Sequence, residues 1–128
     1  MLEKLITQLG KDLGMDGQIA KTEERHFLIP LDEGIEVEAV ELEKSHLLKA
    51  VVAEWPAENG EAFFLKAMEA NLFGMGTRGA VIGMNEEGKV LTLSMELDYN
   101  SSFKDFKEKL EDFVSVLDFW RKAALKDE

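Results

Sequence analysis

The chain has 128 residues, of which 45% are hydrophobic and none is cysteine, and its formal net charge is −11 at pH 7. This length predicts a single domain over residues 1–128 with a modest core, and the apolar content excludes a disordered chain. An acidic surface repels nucleic acid and anionic lipid, so neither is an expected partner. No apolar run approaches the roughly 20 residues that a membrane-spanning helix needs, so no membrane insertion is expected.

The first half of the chain predicts one helix and three strands. Met1–Leu13 carries leucine and isoleucine on one helical face and is expected to end near Gly14. The predicted strands are Arg25–Leu31, Gly34–Glu43 and Ser45–Glu54. The apolar alternation of the second strand slips at Val40, which suggests a bulge or a twist there. The third strand ends because Pro56 has no N–H to donate.

The second half predicts a helix, a β-hairpin and a final helix. The helix covers Gly60–Phe73, the hairpin joins Ala80–Met84 to Lys89–Leu97, and the last helix follows a serine cap at Ser101 or Ser102. The resulting order, α-β-β-β-α-β-β-α, predicts an α+β fold in which helices pack against a twisted antiparallel sheet.

Motifs that could carry chemistry are weak. Gly74, Gly76 and Gly79 spell G-x-G-x-x-G, but a helix precedes them and a strand follows, which is the reverse of a dinucleotide site. The two histidines, His26 and His46, have no H-E-x-x-H or cysteine partners, so each is expected at the surface or half-buried. There is no G-x-S-x-G elbow and no distinct acid–base pair of carboxylates. No catalytic residue, metal or cofactor is predicted.

Three segments together resemble the class I type III secretion chaperones, the family that includes the Tir chaperone and the Yersinia Yop chaperones. LITQLGKDLGM at Leu5–Met15 is similar to the first helix of that family. EANLFG at Glu69–Gly74, followed by GAVIGMNEEGKVLTL at Gly79–Leu93, resembles its helix-to-hairpin segment. FKEKLEDFVSVLDFW at Phe106–Trp120 resembles its last helix.

The resemblance implies a function. It implies a bacterial cytoplasmic homodimer, without enzymatic activity, that binds the N-terminal chaperone-binding segment of secreted effectors. Such a chaperone keeps that segment extended and soluble and promotes its delivery to the export apparatus, where the secretion ATPase is a further partner. The alternative is a small acidic α+β adaptor or regulator that binds a folded cytoplasmic partner.

Effector contact is predicted on the first helix and the early strands. The candidate residues are Leu5, Leu9, Phe27 and Ile29. An element at the end of the chain and a strand that ends at a proline are poorly placed to be fully covered by the rest of the fold. The alternative for each of the four is that it belongs to the core.

A two-fold symmetric dimer is predicted through the central helix and the strand that follows it. The helix has apolar residues on more of its circumference than one sheet requires, and Ala80–Met84 is a continuous apolar run. The resemblance implies self-association through the same two elements. The predicted contacts are Phe64, Met68, Ala80 and Ile82. The alternative is a larger monomer core that absorbs both surfaces.

Overall fold

A computed structural model describes residues 2–14, 19–31, 35–54, 62, 65–69, 80–84 and 90–126, the side chains of 124–126 excepted. The described elements are α1 (Leu2–Asp12), β1 (Ala20–Glu23), β2 (His26–Pro30), β3 (Glu36–Glu41), β4 (Ser45–Glu54), α2 (residues 65–69), β5 (Val81–Met84), β6 (Val90–Asp98) and α3 (Phe103–Lys126). The strands form one sheet in the order β1-β2-β3-β4-β6-β5. The pairs β1–β2, β2–β3, β3–β4 and β5–β6 are antiparallel. The predicted α+β fold is confirmed.

The chain divides into two compact units, each described separately below. Unit 1 contains Met1–Lys49 and Glu96–Glu111, and unit 2 contains Ala50–Met95 and Asp112–Glu128. The strands β4 and β6 and the helix α3 contribute residues to both units. The prediction of a single domain over residues 1–128 is not tested by this division and stays a prediction.

In each unit most of the buried strand side chains alternate along the chain and so share one face of the sheet, which we call the core face. Val40 is the exception in β3, because it is 8% exposed and lies on the opposite side. The strand residues on the core face of unit 1 are Phe27, Ile29, Val37, Ala39, Leu48 and Leu97, and those of unit 2 are Ala50, Val52, Ile82, Leu91, Leu93 and Met95. The helices contribute Leu2, Leu5, Ile6, Leu9, Phe106 and Leu110 to the buried set of unit 1, and Ala67, Phe113, Val116, Leu117 and Trp120 to that of unit 2. We call the opposite side of the sheet the outer face.

The strand β1 was not predicted. Its sequence, AKTE, has all four side chains exposed and therefore carries no apolar pattern. Of the two alternatives predicted at Val40, the bulge is excluded, because the register of β3 with both neighbours is continuous through that residue. The twist is not tested by the register and stays a prediction. An irregularity lies instead between Lys21 and Glu23, where β1 pairs with β2.

The helix α1 ends where the sequence predicts. The Leu13 amide donates to the Leu9 carbonyl oxygen at 2.9 Å, and Gly14 follows in the left-handed conformation with φ of 68°. Only glycine adopts that conformation at no steric cost, so Gly14 releases the chain from the helix. Among the described residues, no helix is long and apolar enough to cross a membrane.

We expect Gly14→Ala to lower the free energy of unfolding by about 1 kcal/mol, which is the usual cost of holding an alanine in the left-handed region. An added Cβ meets no atom within 4 Å, so the cost is backbone strain alone. Urea denaturation measures it, with Lys11→Ala as the control in the preceding turn. Equal stability of the two variants would show that residue 14 does not need a positive φ.

Candidate functional site

The four residues predicted to contact an effector are all buried in unit 1. Leu5 and Leu9 lie on the buried face of α1, and Phe27 and Ile29 lie on the core face of β2. This burial agrees with the alternative in which the four residues form core. Contact between these residues and an effector is not tested by the single chain and stays a prediction.

The backbone of β2 fixes which of its residues bond to which neighbouring strand. The Leu31 amide donates to the Ile35 carbonyl at 2.7 Å, and the Glu41 amide donates to the Arg25 carbonyl at 2.9 Å. Both bonds connect the ends of β2 to β3. Because the direction of backbone groups alternates along a strand, odd-numbered residues of β2 bond towards β3 and even-numbered ones towards β1.

The edge of the sheet at β1 follows from that alternation. Ala20 lies opposite Leu28, an even-numbered residue, so the backbone groups of Ala20 point towards β2. The N–H and C=O of Lys21 therefore point away from the sheet. β1 is the outermost strand at this end, and its side chains are exposed. An outermost strand with free backbone groups is a template for another extended chain.

The residues predicted at the dimer interface are placed differently from one another. Phe64 lies outside the described residues, and Met68 is half-buried. Ala80 and Ile82 are buried by the chain itself, whereas Val81 between them is 56% exposed. A dimer is not tested by the single chain and stays a prediction. On β5, Val81 is the most exposed side chain, and Met84 is 39% exposed.

The outer face of the sheet in unit 2 is uncharged at the described positions. It consists of Val51, Ala53, Val81, Gly83, Val90, Thr92 and Ser94, which we call the uncharged face. Val51 is 52% exposed. In unit 1 the outer face carries Glu36, Glu38, Lys49, Glu96 and Asp98. In a chain with 32% charged residues, an uncharged face with exposed valines is typical of a surface that a partner covers.

A polar cluster lies at the start of α1. Glu41 Oε1 accepts a hydrogen bond from the Leu2 amide at 2.8 Å, and so caps α1 from a strand 39 residues away. The Arg25 Nε lies 3.8 Å from the other carboxylate oxygen of Glu41. The hydrogen bond from Leu2 is the main cause that lowers the pKa of the Glu41 carboxyl.

His46 belongs to the same cluster, and the prediction that it lies at the surface or half-buried was wrong. The side chain is 0% exposed on the core face of β4. Its Nε2 donates to the Tyr99 carbonyl at 3.0 Å, and its ring stacks on the Tyr99 ring with centroids 4.9 Å apart. Burial lowers the pKa of His46, because a cation there would lose its hydration. Its neutral form is therefore favoured.

His26 fits the prediction, since its ring is partly exposed and its Nδ1 lies 3.2 Å from Glu38 Oε1. Within the described part of the chain, no group of three or more histidine, aspartate or glutamate side chains could hold a metal ion. The G-x-G-x-x-G glycines lie outside the described residues. The features available for function are an open strand edge, an uncharged face and a buried polar cluster.

This fold is that of the type III secretion chaperones. The ExsC–ExsE complex matches with a TM-score of 0.77 and 18% identity over 94% of this chain and 91% of that one. The HopA1–SchA chaperone–effector complex matches with a TM-score of 0.73 and 12% identity over 94% and 93%. The Yersinia pestis type III secretion chaperone SycH, solved with a fragment of YscM2, matches with a TM-score of 0.66 and 17% identity over 98% of each chain.

The chain belongs to the Tir chaperone protein (CesT) family, whose model matches residues 4–121. A protein of Chlamydia pneumoniae is 26% identical over 122 residues, which cover 94% of this chain and 93% of that protein. The family predicted from the sequence is thereby confirmed.

Proposed function

We propose that this protein is a cytoplasmic type III secretion chaperone of a bacterium. It binds the N-terminal chaperone-binding segment of one or more secreted effectors, keeps that segment extended and soluble, and promotes its delivery to the export apparatus and the secretion ATPase. The observation that carries the proposal is the family match over residues 4–121. The likeness of the fold to chains solved as chaperone–effector complexes supports it. The activity is binding alone, without a catalytic step.

The open edge of β1 supplies a physical means to hold a segment extended. A strand added to a sheet edge bonds through its main chain, so its affinity depends little on sequence, and a strand held in this way cannot collapse into its own fold. Lys21 presents the outward N–H and C=O on β1. The net charge of −11 keeps the complex soluble.

Lys21→Pro is expected to weaken effector binding by about fivefold to tenfold, the usual value of one main-chain hydrogen bond. Proline removes the outward N–H and is tolerated on an edge strand, because the pairing with β2 does not use that group. Isothermal titration calorimetry with the N-terminal segment of a recovered effector measures the change. Lys21→Ala is the matched control, since it keeps the N–H and removes only the side chain, whose Nζ lies 3.9 Å from Glu3.

Two results would count against these proposals separately. Equal binding by the proline and alanine variants would show that the effector does not use the β1 edge. If a pull-down from a secreting bacterium recovers no secreted protein, and deletion leaves secretion intact, the chaperone function itself is contradicted.

The homodimer is the second part of the proposal, and the uncharged face supports it. A stable dimer buries about 800 Å² on each partner around an apolar centre. Val51 and Val81 lie on one face of the sheet in unit 2, with the uncharged outer residues of β6 between their strands. A copy of the same face covers this surface without burying charge.

One comparison favours the alternative function. YbjN, described as a putative transcription regulator from E. coli, matches with a TM-score of 0.65 and 14% identity over 98% of this chain and 92% of that one. In the alternative function the chain binds a folded cytoplasmic partner, whereas a chaperone binds an unfolded N-terminal segment. Affinity measured for an isolated, unfolded effector segment separates the two functions. A gene position beside secretion or effector genes also favours the chaperone.

A further inference from the structure

Glu41 and His46 face each other across the hairpin of β3 and β4. They are directly opposite in the register. The next pair outward is hydrogen-bonded, because the Leu42 amide donates to the Ser45 carbonyl at 2.8 Å. Glu41 and His46 therefore form a non-hydrogen-bonded pair, in which the Cα atoms lie about 4.5 Å apart and the side chains are closest. Both side chains lie on the face of the sheet that α1 covers.

Each of the two side chains is engaged elsewhere at neutral pH. Glu41 holds the Leu2 amide of α1, and His46 bonds to the Tyr99 carbonyl. A carbonyl oxygen only accepts, so the proton of the neutral ring is on Nε2 and the Nδ1 atom is bare. Within the described residues Nδ1 is buried and has no hydrogen-bond partner. A proton that binds there creates a buried cation that needs an acceptor.

We propose that protonation of His46 draws Glu41 away from α1, so that the pair acts as a proton-operated latch on that helix. The carboxylate directly opposite is the anion placed to compensate the new charge, because a buried cation is tolerated only when it is paired. The Leu2 amide then loses its acceptor, and the first turn of α1 loosens. The inference rests on the geometry of unit 1 and is independent of the proposed function.

The charged groups around His46 set the direction of the switch. Burial is the largest influence and opposes protonation of the ring, as does the positive amino terminus, whereas the hydrogen bond to Tyr99 and the charge of Glu41 favour it. Arg25 lies on Glu41 and competes with His46 for the carboxylate. Because burial holds the pKa of His46 below its ordinary value of about 6.5, the latch is closed at neutral pH and opens in acid. As the pH falls below about 6.5, the unfolded chain takes up a proton at His46 before the folded chain does. The free energy of unfolding therefore also decreases in acid.

Nuclear magnetic resonance of the full chain, titrated from about pH 7.5 to about pH 4.5, tests the latch. The ring resonances of His46 give its midpoint. The Leu2 amide resonance is expected to shift with that same midpoint. The amides of residues 6–9 bond to the carbonyls of the first turn of α1. Their hydrogen exchange, corrected for the intrinsic effect of pH, is expected to rise about fivefold relative to α3, the usual effect of losing a cap.

Three variants separate the latch from general acid sensitivity. Glu41→Gln keeps an oxygen for the Leu2 amide but has no charge, and His46→Phe stacks on Tyr99 but binds no proton, so both are expected to lose the response of α1. His26→Gln removes the other histidine and is expected to keep it. The proposal is overturned if Leu2 does not respond while His46 titrates, if Glu41→Gln responds fully, or if α1 and α3 lose protection together.

Discussion

The double substitution Leu5→Asp with Leu9→Asp will unfold this protein at neutral pH. The two leucines are 5% and 1% exposed on the buried face of α1. Each substitution removes about 2 kcal/mol of apolar burial and places a carboxylate where no partner compensates it, at a cost of several kcal/mol more. Together these costs are comparable to the whole stability of a domain, which is roughly 5–15 kcal/mol. Loss of the far-ultraviolet circular dichroism signal and of a cooperative urea transition measures the result.

The matched control places the same charges on the opposite side of the same helix. Lys4→Asp with Gln8→Asp has the same spacing, but both residues are exposed. A stability change within about 0.5 kcal/mol is expected, as for ordinary surface substitutions. If the leucine variant instead stays folded and loses only effector binding, then Leu5 and Leu9 are contact residues, and their assignment to the core is wrong.

Elements with an apolar pattern were predicted well from the sequence. β4 was placed at Ser45–Glu54 and is observed at the same residues, because one face alternates in burial and a proline follows two residues after its end. The end of α1 was predicted because a glycine follows an amphipathic run, and Gly14 adopts the expected positive φ. In both cases the local sequence and the burial agree, so no distant contact was needed to place the boundary.

Elements that depend on distant partners could not be predicted. The strand β1 has four exposed side chains and exists because β2 offers it a pairing edge. The cap that Glu41 gives to Leu2 joins residues 39 positions apart, and no local pattern marks it. The burial of His46 did leave a signal, since it shares the parity of Leu48 and the other buried residues of β4. A polar residue in that register indicates a core position.

The side chains of Ala80–Met84 alternate between the two faces of the sheet, so an apolar run alone does not tell which of them are exposed. The continuous apolar run Ala80–Met84 predicts a surplus face for self-association. In the fold, Ala80 and Ile82 point into the chain's own core, and Val81 points outward. The run therefore serves two surfaces, as a strand with two apolar faces does. Val81 is therefore exposed, whereas the predicted contacts Ala80 and Ile82 have the opposite parity and are buried, and self-association through this strand stays a prediction.

Val81→Asp is expected to convert a dimer into a folded monomer. The wild-type chain should behave in solution as a two-fold dimer through the uncharged face, at twice the 14.4 kDa mass of one chain. Val81 is exposed in the single chain, so the aspartate costs the monomer little. In the dimer it would be buried twice by symmetry without a partner, which weakens association at least about 100-fold. Light scattering over a range of concentrations measures the mass.

Two further variants serve as controls for Val81→Asp. Lys44→Asp adds negative charge on the exposed turn between β3 and β4 and should remain a dimer. Ile82→Asp places the charge on the core face of the same strand and should unfold the chain, since Ile82 is only 2% exposed and a carboxylate there loses its hydration. A wild-type mass of 14.4 kDa at every concentration would rule out the dimer. A dimer that survives Val81→Asp would move the interface away from β5, because an interface over that strand would bury the aspartates without partners.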